Sequence, residues 1–328
     1  MRTDCRMVRN RTPHHREGAA GRNRCGFVTT MTSIRKIGFI GVGHMGNPMA
    51  GQLVKKGFDV TAFDLREAAL HAFAAGHGGR TAATLADAGR GADAVIFMLP
   101  DDKAVRQVLF GDGLADRLAR GAVAIDMSSS APAGTVAIGD ELARRGIGYV
   151  DAPVMGGVVF AKDATLDIMA GGDPAVVERC RPLFEALGRK LYVCGALGSG
   201  HMLKSLANYI NACAMINTLE AMVAGRKFGL DSQVMAEAIE AMCNGRQHPL
   251  AKKIVPHVLT RKYGTGMAMQ FIAKDVKIAV EAAQNIGAAV PLGEKTAELW
   301  AAACERLGGA RDQTEIARYW EESAGVKL

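Results

Sequence analysis

Lys204 opens a stretch, HMLKSLANYINACAMINTLEAMVAGRKFG from His201, in which residues 205–219 carry no charge. An amine withdrawn from water has a lowered pKa and can take or give a proton near neutral pH. Asn208 lies one helical turn further on the same face, placed to orient the lysine or what it acts on. Two placements are open. On an exposed first turn, Lys204 would reach its ammonium into water. In a cleft between two domains it would be set up for proton transfer. So uncharged a helix is expected to be buried between domains.

A second group of residues points to a phosphate-bearing ligand. Gly41-Val42-Gly43-His44-Met45-Gly46 has the spacing G-x-G-x-x-G, after an apolar strand-like run and before a helical one. In that setting Gly41 permits a tight turn and Gly43 lets the backbone approach a pyrophosphate. Gly46 lets helix pack on strand, and the helix N-terminus faces the phosphates. Asp64 follows 21 residues after Gly43 at the end of the next strand-like run. A carboxylate there accepts from a ribose 2′-OH and repels a 2′-phosphate, which favours NAD over NADP. Leu65 occupies the next position, and Arg66 just beyond leaves NADP open.

Two further loops follow strand-like runs. Asp126-Met127-Ser128-Ser129-Ser130-Ala131-Pro132 precedes a helix. Its serines could contact a ligand, and Ser129 or Ser130 could cap that helix. Asp151-Ala152-Pro153-Val154-Met155-Gly156-Gly157 could hold a carboxylate on successive backbone N–H groups, or be a plain turn.

These residues need a scaffold, and the pattern supplies one. The runs at 34–40, 59–63, 93–99, 121–127, 147–153 and 166–171 have strand length and are rich in Val, Ile and Phe. Helical stretches at 45–56, 66–75, 101–109 and 132–145 alternate with them, as in a parallel sheet covered on both faces. After about residue 197 no strand-like run appears. Helices are expected at 200–228, 231–243, 271–286, 292–306 and 312–323. The fold expected is therefore a Rossmann-type doubly wound α/β domain over 31–196. An all-helical C-terminal domain over 197–328 follows, joined by a long interdomain helix.

Composition agrees with a two-domain globular chain. The 328 residues are 49% hydrophobic and 22% charged, and no apolar run is long enough for a membrane span. Seven arginines and two acids in residues 1–30 account for five of the seven net positive charges. The basic character thus belongs to a tail, expected to be disordered, and argues against a nucleic-acid partner. That tail has neither the apolar core of a secretory signal nor the serines of a presequence. Met31, just before the first strand, reads as the natural start. Seven scattered cysteines and eight scattered histidines show no metal-ligand spacing, and a reducing cytoplasmic setting is expected.

Five ordered segments together resemble one family, the β-hydroxyacid dehydrogenases, which includes 3-hydroxyisobutyrate dehydrogenase, tartronate semialdehyde reductase and 2-(hydroxymethyl)glutarate dehydrogenase. They are GFIGVGHMGNPMA (38–50), DMSSSAP (126–132), VDAPVMGG with ATLDIMAGG (150–172), GSGHMLKSLANYINA (198–212) and AKDVKIAVEAA (273–283). The likeness runs from about Ile34 to the end. It implies a dehydrogenase that passes hydride between NAD and a short 3-hydroxy acid or its semialdehyde. Lys204 matches the general acid/base and Asn208 its neighbour. Gly41 to Gly46, Leu99, Pro100 and Ser129 match cofactor contacts, with Ser129 also near substrate. Gly156 and Gly157 match the loop for the substrate carboxylate. Lys274 matches a residue closing over the cofactor, with Asp275 behind it. A homodimer or homotetramer is expected.

The chain departs from that family pattern in one loop. Met155 stands where the family has Ser, and Phe160 and Ala164 stand where it has Gly. These changes point to a bulkier or less polar acid. Imine reductases share this overall plan, and non-catalytic NAD-binding relatives exist. Both typically lack the lysine, so Lys204 argues against them.

Overall fold

The computed structural model describes residues 33–246 and 248–328. The expected basic tail lies outside them. The chain begins β1 (Lys36–Ile40), α1 (Gly46–Lys55), β2 (Asp59–Phe63), α2 (Glu67–His77), β3 (Arg80–Thr81), α3 (Leu85–Gly89), β4 (Ala94–Phe97) and α4 (Asp102–Arg106). It continues β5 (Val123–Asp126), α5 (Pro132–Arg144), β6 (Gly148–Asp151), β7 (Val154–Met155), α6 (Gly157–Lys162), β8 (Leu166–Gly172), α7 (Pro174–Leu187) and β9 (Gly188–Gly195). Only helices follow: α8 (Ser199–Phe228), α9 (Ser232–Ile239), α10 (Met269–Asn285), α11 (Pro291–Leu307) and α12 (Ala317–Ala324). Wider helical turns at Glu240–Arg246 and Leu250–Val258 lie between α9 and α10.

The strand order is β3-β2-β1-β4-β5-β6-β8-β7, with β9 beside β8. From β3 to β6 every neighbouring pair is parallel, as expected. Strand order reverses between β1 and β4. Ligands of such sheets collect at that point, outside the carboxyl ends of the strands. Both faces are covered, so β4 is buried along its whole length, and Phe39, Phe73, Phe97 and Phe184 fill the core.

Two features depart from the sequence pattern. Beyond β6 the sheet turns antiparallel: β8 pairs antiparallel with both β6 and β7, then parallel with β9. The short β7 places Met155 at the sheet edge. The second departure corrects the expectation for α8. That helix is not buried between domains, since only Gly200 and His201 of its thirty residues are buried. Its first turn is sunk into the sheet domain, where a Cβ on Gly200 would collide with the Met169 carbonyl oxygen. The remainder leaves the sheet. α9, α10 and α11 pack on its far part, and α10 and α11 pack on each other. Its uncharged surface is left open.

Candidate functional site

The glycine turn has the geometry its spacing predicts. Gly41 sits at φ +93°, where a side chain is strained, and a Cβ there would strike the Met98 carbonyl oxygen. A Cβ on Gly46 would strike the Gly41 carbonyl oxygen. Val42 packs into the core, Gly43 and Met45 are half-buried, and His44 is exposed.

Asp64 closes the far side of this turn. Its Oδ2 accepts from the Val42 N–H at 3.0 Å, and its Oδ1 accepts from the Arg66 N–H at 2.9 Å. The Arg66 guanidinium also lies on this carboxylate, which raises the already high pKa of the arginine. A cavity of about 570 Å³ opens between the turn and β4, lined among others by Gly41, Gly43, Asp64, Arg66, Leu99 and Pro100. A second, of about 440 Å³, lies on the α1 side and includes Val42, His44, Asn47 and Val158. A dinucleotide fits this cradle. The glycines let its phosphates approach the backbone, and Asp64 terminates the ribose end.

The serine loop is tied to the same crevice. Ser128 Oγ accepts from the Leu99 N–H at 2.9 Å, and the Ser130 hydroxyl donates to Asp126 Oδ2 at 2.7 Å. Both serines are buried, whereas Ser129 is exposed, facing out with no hydrogen bond among the described residues. Neither Ser129 nor Ser130 caps α5, contrary to that sequence alternative. Ala131 holds the cap position, and its N–H donates to Asp102 Oδ1 at 3.2 Å.

Half-buried Met155 ends β7, and the exposed Gly156 and Gly157 turn the chain into α6 at φ +131° and +76°. Ala164, at the other end of that helix, adopts φ +54°. A left-handed residue there explains why a glycine is usual in the resembling pattern. Lys204 sits on the second turn of α8, and its ammonium donates to the Met155 thioether sulfur at 3.5 Å. The lysine is half-buried, and that burial lowers its pKa. The half-buried amine against Met155 is neither the fully solvated lysine nor the fully enclosed one between which the sequence left the choice open. Asn208 is exposed one turn further along.

Lys274 is not brought to this place within one chain. It is exposed on α10 and pairs with Asp275 at 3.2 Å.

Sequence reasoning missed a buried polar cluster beneath Lys204. The side chains of Asp126, Asp151 and His201 are inaccessible to water. Asp151 accepts from the Gly198 and His201 N–H groups, both at 2.8 Å, and so caps α8. The His201 ring contacts Thr135 Oγ1 through Nδ1 at 2.7 Å, and its Nε2 lies 3.7 Å from Asp126 Oδ2. Tyr149 completes the group, its hydroxyl pKa pushed well up by burial and by the nearby carboxylates. The one available signal is that β5 and β6 each end in Asp at paired positions. Among the described residues there is no group of His, Cys, Asp and Glu that could hold a metal ion, and no helix is long and apolar enough to cross a membrane.

Comparison with known proteins covers both halves of the chain. The family model described as the NAD binding domain of 6-phosphogluconate dehydrogenase matches residues 36–195. The model described as NAD-binding of NADP-dependent 3-hydroxyisobutyrate dehydrogenase matches 198–320. An NAD-dependent L-serine dehydrogenase of Pseudomonas aeruginosa is 35% identical over 298 residues, covering 89% of this chain and all of that one. A 2-(hydroxymethyl)glutarate dehydrogenase of Eubacterium barkeri is 33% identical, covering 89% and 97%. The solved 3-hydroxyisobutyrate dehydrogenase of Mycobacterium tuberculosis with L-serine aligns with TM-score 0.61 and 29% identity, covering 88% and 99%. An imine reductase from Myxococcus stipitatus aligns with TM-score 0.78, covering 88% and all of that chain, but at 20% identity this is a likeness of fold alone.

Proposed function

The chain belongs to the β-hydroxyacid dehydrogenase family, and on that premise we propose that it acts on a short 3-hydroxy acid with NAD, using Lys204 for proton transfer. The carrying observation is the half-buried amine of Lys204, its pKa lowered by burial, set against Met155 in the glycine turn.

The chain's residues divide the work. Gly41, Gly43 and Gly46 admit the dinucleotide phosphates, and Asp64 supports NAD over NADP. The exposed turn at Gly156 and Gly157 offers backbone N–H groups to the substrate carboxylate. The nicotinamide ring, when bound, takes or returns the hydride. In oxidation the neutral Lys204 amine accepts the hydroxyl proton. In reduction its ammonium donates that proton to the carbonyl oxygen. Holding the hydroxyl against Lys204 while the acid is anchored turns the reaction into an oriented, intramolecular event.

Met155 shapes the preference. A thioether presents an apolar surface beside the amine where a hydroxyl would hydrogen-bond the acid. This supports an acid with a bulkier or less polar side chain than serine. The test is a screen of 3-hydroxy acids of graded side chain, with NAD and NADP in parallel and a cyclic imine as contrast. NAD reduction on an apolar-substituted 3-hydroxy acid is expected. Turnover of the imine alone would overturn the reading.

A further inference from the structure

We propose that His201 is a positioning residue for Lys204: set between Asp126 and Asp151 and held by Thr135, its ring fixes the turn of α8 from which the amine projects. The proposal deepens the reading of Lys204 given above and rests on it.

The first observation is where α8 is gripped. Of its thirty residues only Gly200 and His201 are buried, so His201 is the one wholly buried side chain with which the helix is keyed into the sheet domain. Lys204 follows three residues later on the same face. The lysine backbone therefore takes its bearing from the turn that His201 pins.

The hydrogen bonds of the ring give the second argument. Thr135 has one hydroxyl proton, and it goes to the Ala131 carbonyl oxygen at 3.1 Å. Its oxygen therefore accepts from the His201 Nδ1–H at 2.7 Å, which fixes the orientation of the ring. Nε2 is buried without a hydrogen-bond partner among the described residues, 3.7 Å from Asp126 Oδ2. Asp151 Oδ2 lies 3.7 Å from Nδ1. A buried polar atom left in this state is a cost that an apolar side chain of similar size would avoid. Nor do the carboxylates depend on the ring. Asp126 Oδ2 already accepts from the Ser130 and Tyr149 hydroxyls at 2.7 and 3.4 Å, and Asp151 accepts from two backbone N–H groups. What the imidazole serves is the helix.

The cluster that His201 joins also reaches both walls of the crevice. Asp126 accepts from the Ser128 N–H at 2.9 Å, and Ser128 Oγ holds the Leu99 N–H on the cofactor side. From Asp151 the chain runs four residues to Met155, the contact of the amine. The Ala152 N–H donates to the Asp126 carbonyl oxygen at 2.7 Å and ties the two walls together. A shift of His201 would thus move Lys204 relative to both Leu99 and Met155. A misplacement of about 1 Å in such a site costs on the order of 10²-fold in rate.

The test compares three variants. His201→Leu keeps bulk and removes the Nδ1–H. His201→Asn offers an amide N–H where Nδ1 stood. Thr135→Val removes the acceptor and leaves the ring, and it carries the test should His201→Leu fail to fold. NADH binding reports folding. His201→Leu and Thr135→Val should lower kcat by about 10- to 10²-fold at an unchanged KM for NAD, and His201→Asn should keep most of the activity. In a Lys204→Ala background His201→Leu should cause no further loss, because residues that act as a unit are not additive. An equal loss in both backgrounds shows a structural role alone and overturns the proposal, as does a Leu variant as active as the Asn one. Competitive labelling of amines with acetic anhydride, read by mass spectrometry, reports Lys204 without turnover. The pH at which Lys204 becomes reactive should move up toward that of a free lysine in His201→Leu and stay in place in His201→Asn. An unmoved labelling profile in both His201→Leu and Thr135→Val overturns the proposal. Should Lys204→Ala turn over normally while the labelling still shifts, the proposed reaction falls and the placement of the amine by His201 stands.

Discussion

Arg66 holds both carboxylate oxygens of Asp64, with Nε 3.2 Å from Oδ1 and Nη2 3.4 Å from Oδ2. The acid that would receive a ribose hydroxyl therefore also restrains the cation that would receive a 2′-phosphate. Asp64→Ser is expected to release Arg66 and remove the repulsion together. The ratio of kcat/KM for NAD over NADP should fall by at least ~10-fold, the worth of one charged hydrogen bond. An unchanged ratio would show that Asp64 does not select the cofactor.

Lys204 sets the pH response. Burial lowers its pKa, so the neutral amine becomes available below the range of a free lysine. Oxidation should speed up as pH rises through that pKa and then level off, while reduction should slow over the same range. Lys204→Ala should flatten both profiles and lower kcat at least ~10²-fold with NADH binding retained. The same burial carries a stability consequence. Its pKa is lower folded than unfolded, so the unfolded chain binds more protons between the two values, and stability rises with pH there. Below that window the charged lysine is a cost, and Lys204→Met should leave Tm at neutral pH unchanged or higher. A marked fall in Tm would contradict this.

Met155 is expected to govern substrate choice. Met155→Ser replaces the sulfur facing Lys204 with a hydroxyl that can bond a small polar acid. Relative kcat/KM should move by ~10-fold toward small polar 3-hydroxy acids and away from bulkier ones. Steady-state kinetics on the same graded series measure the shift, and an unaltered ranking would remove Met155 from the pocket.

Asp151 anchors the helix that carries the lysine. Asp151→Ala would strip the Gly198 and His201 N–H groups of their acceptor and leave His201 and Asp126 buried without it. A loss of about 2–6 kcal/mol is expected, ~1–3 kcal/mol for each of the two buried N–H groups left without an acceptor. Chemical denaturation of the sheet domain measures it.

Some of this was legible in the residues and some was not. The glycine turn could be read because part of its demand is local: Gly46 faces the Gly41 carbonyl across a single turn, although Gly41 itself is crowded by Met98 of a distant strand end. The chain order of β1, β2, β4, β5 and β6 could be read because each is a short apolar-rich run bounded by turn residues, with β4 and β5 buried along their whole length and β2 alternating. β7 is two residues long, and β9 alternates poorly, with RKLYVC largely exposed, so neither had a pattern to find. The helix α7 escaped as well, and it carries Pro182 in its interior. Asp126, Asp151 and His201 meet only in space, and no spacing records their cluster. The uncharged middle of α8 was read as buried because periodicity records what a surface avoids, not which surface covers it.

The continuity of α8 carries a last consequence. It is both the seat of the reacting amine and the spar that holds the distal helices. Each added residue would turn those helices by about 100° and push them outward by about 1.5 Å. An insertion of seven residues would therefore nearly restore their bearing relative to the sheet, whereas one of two would swing them by about 200° around the axis.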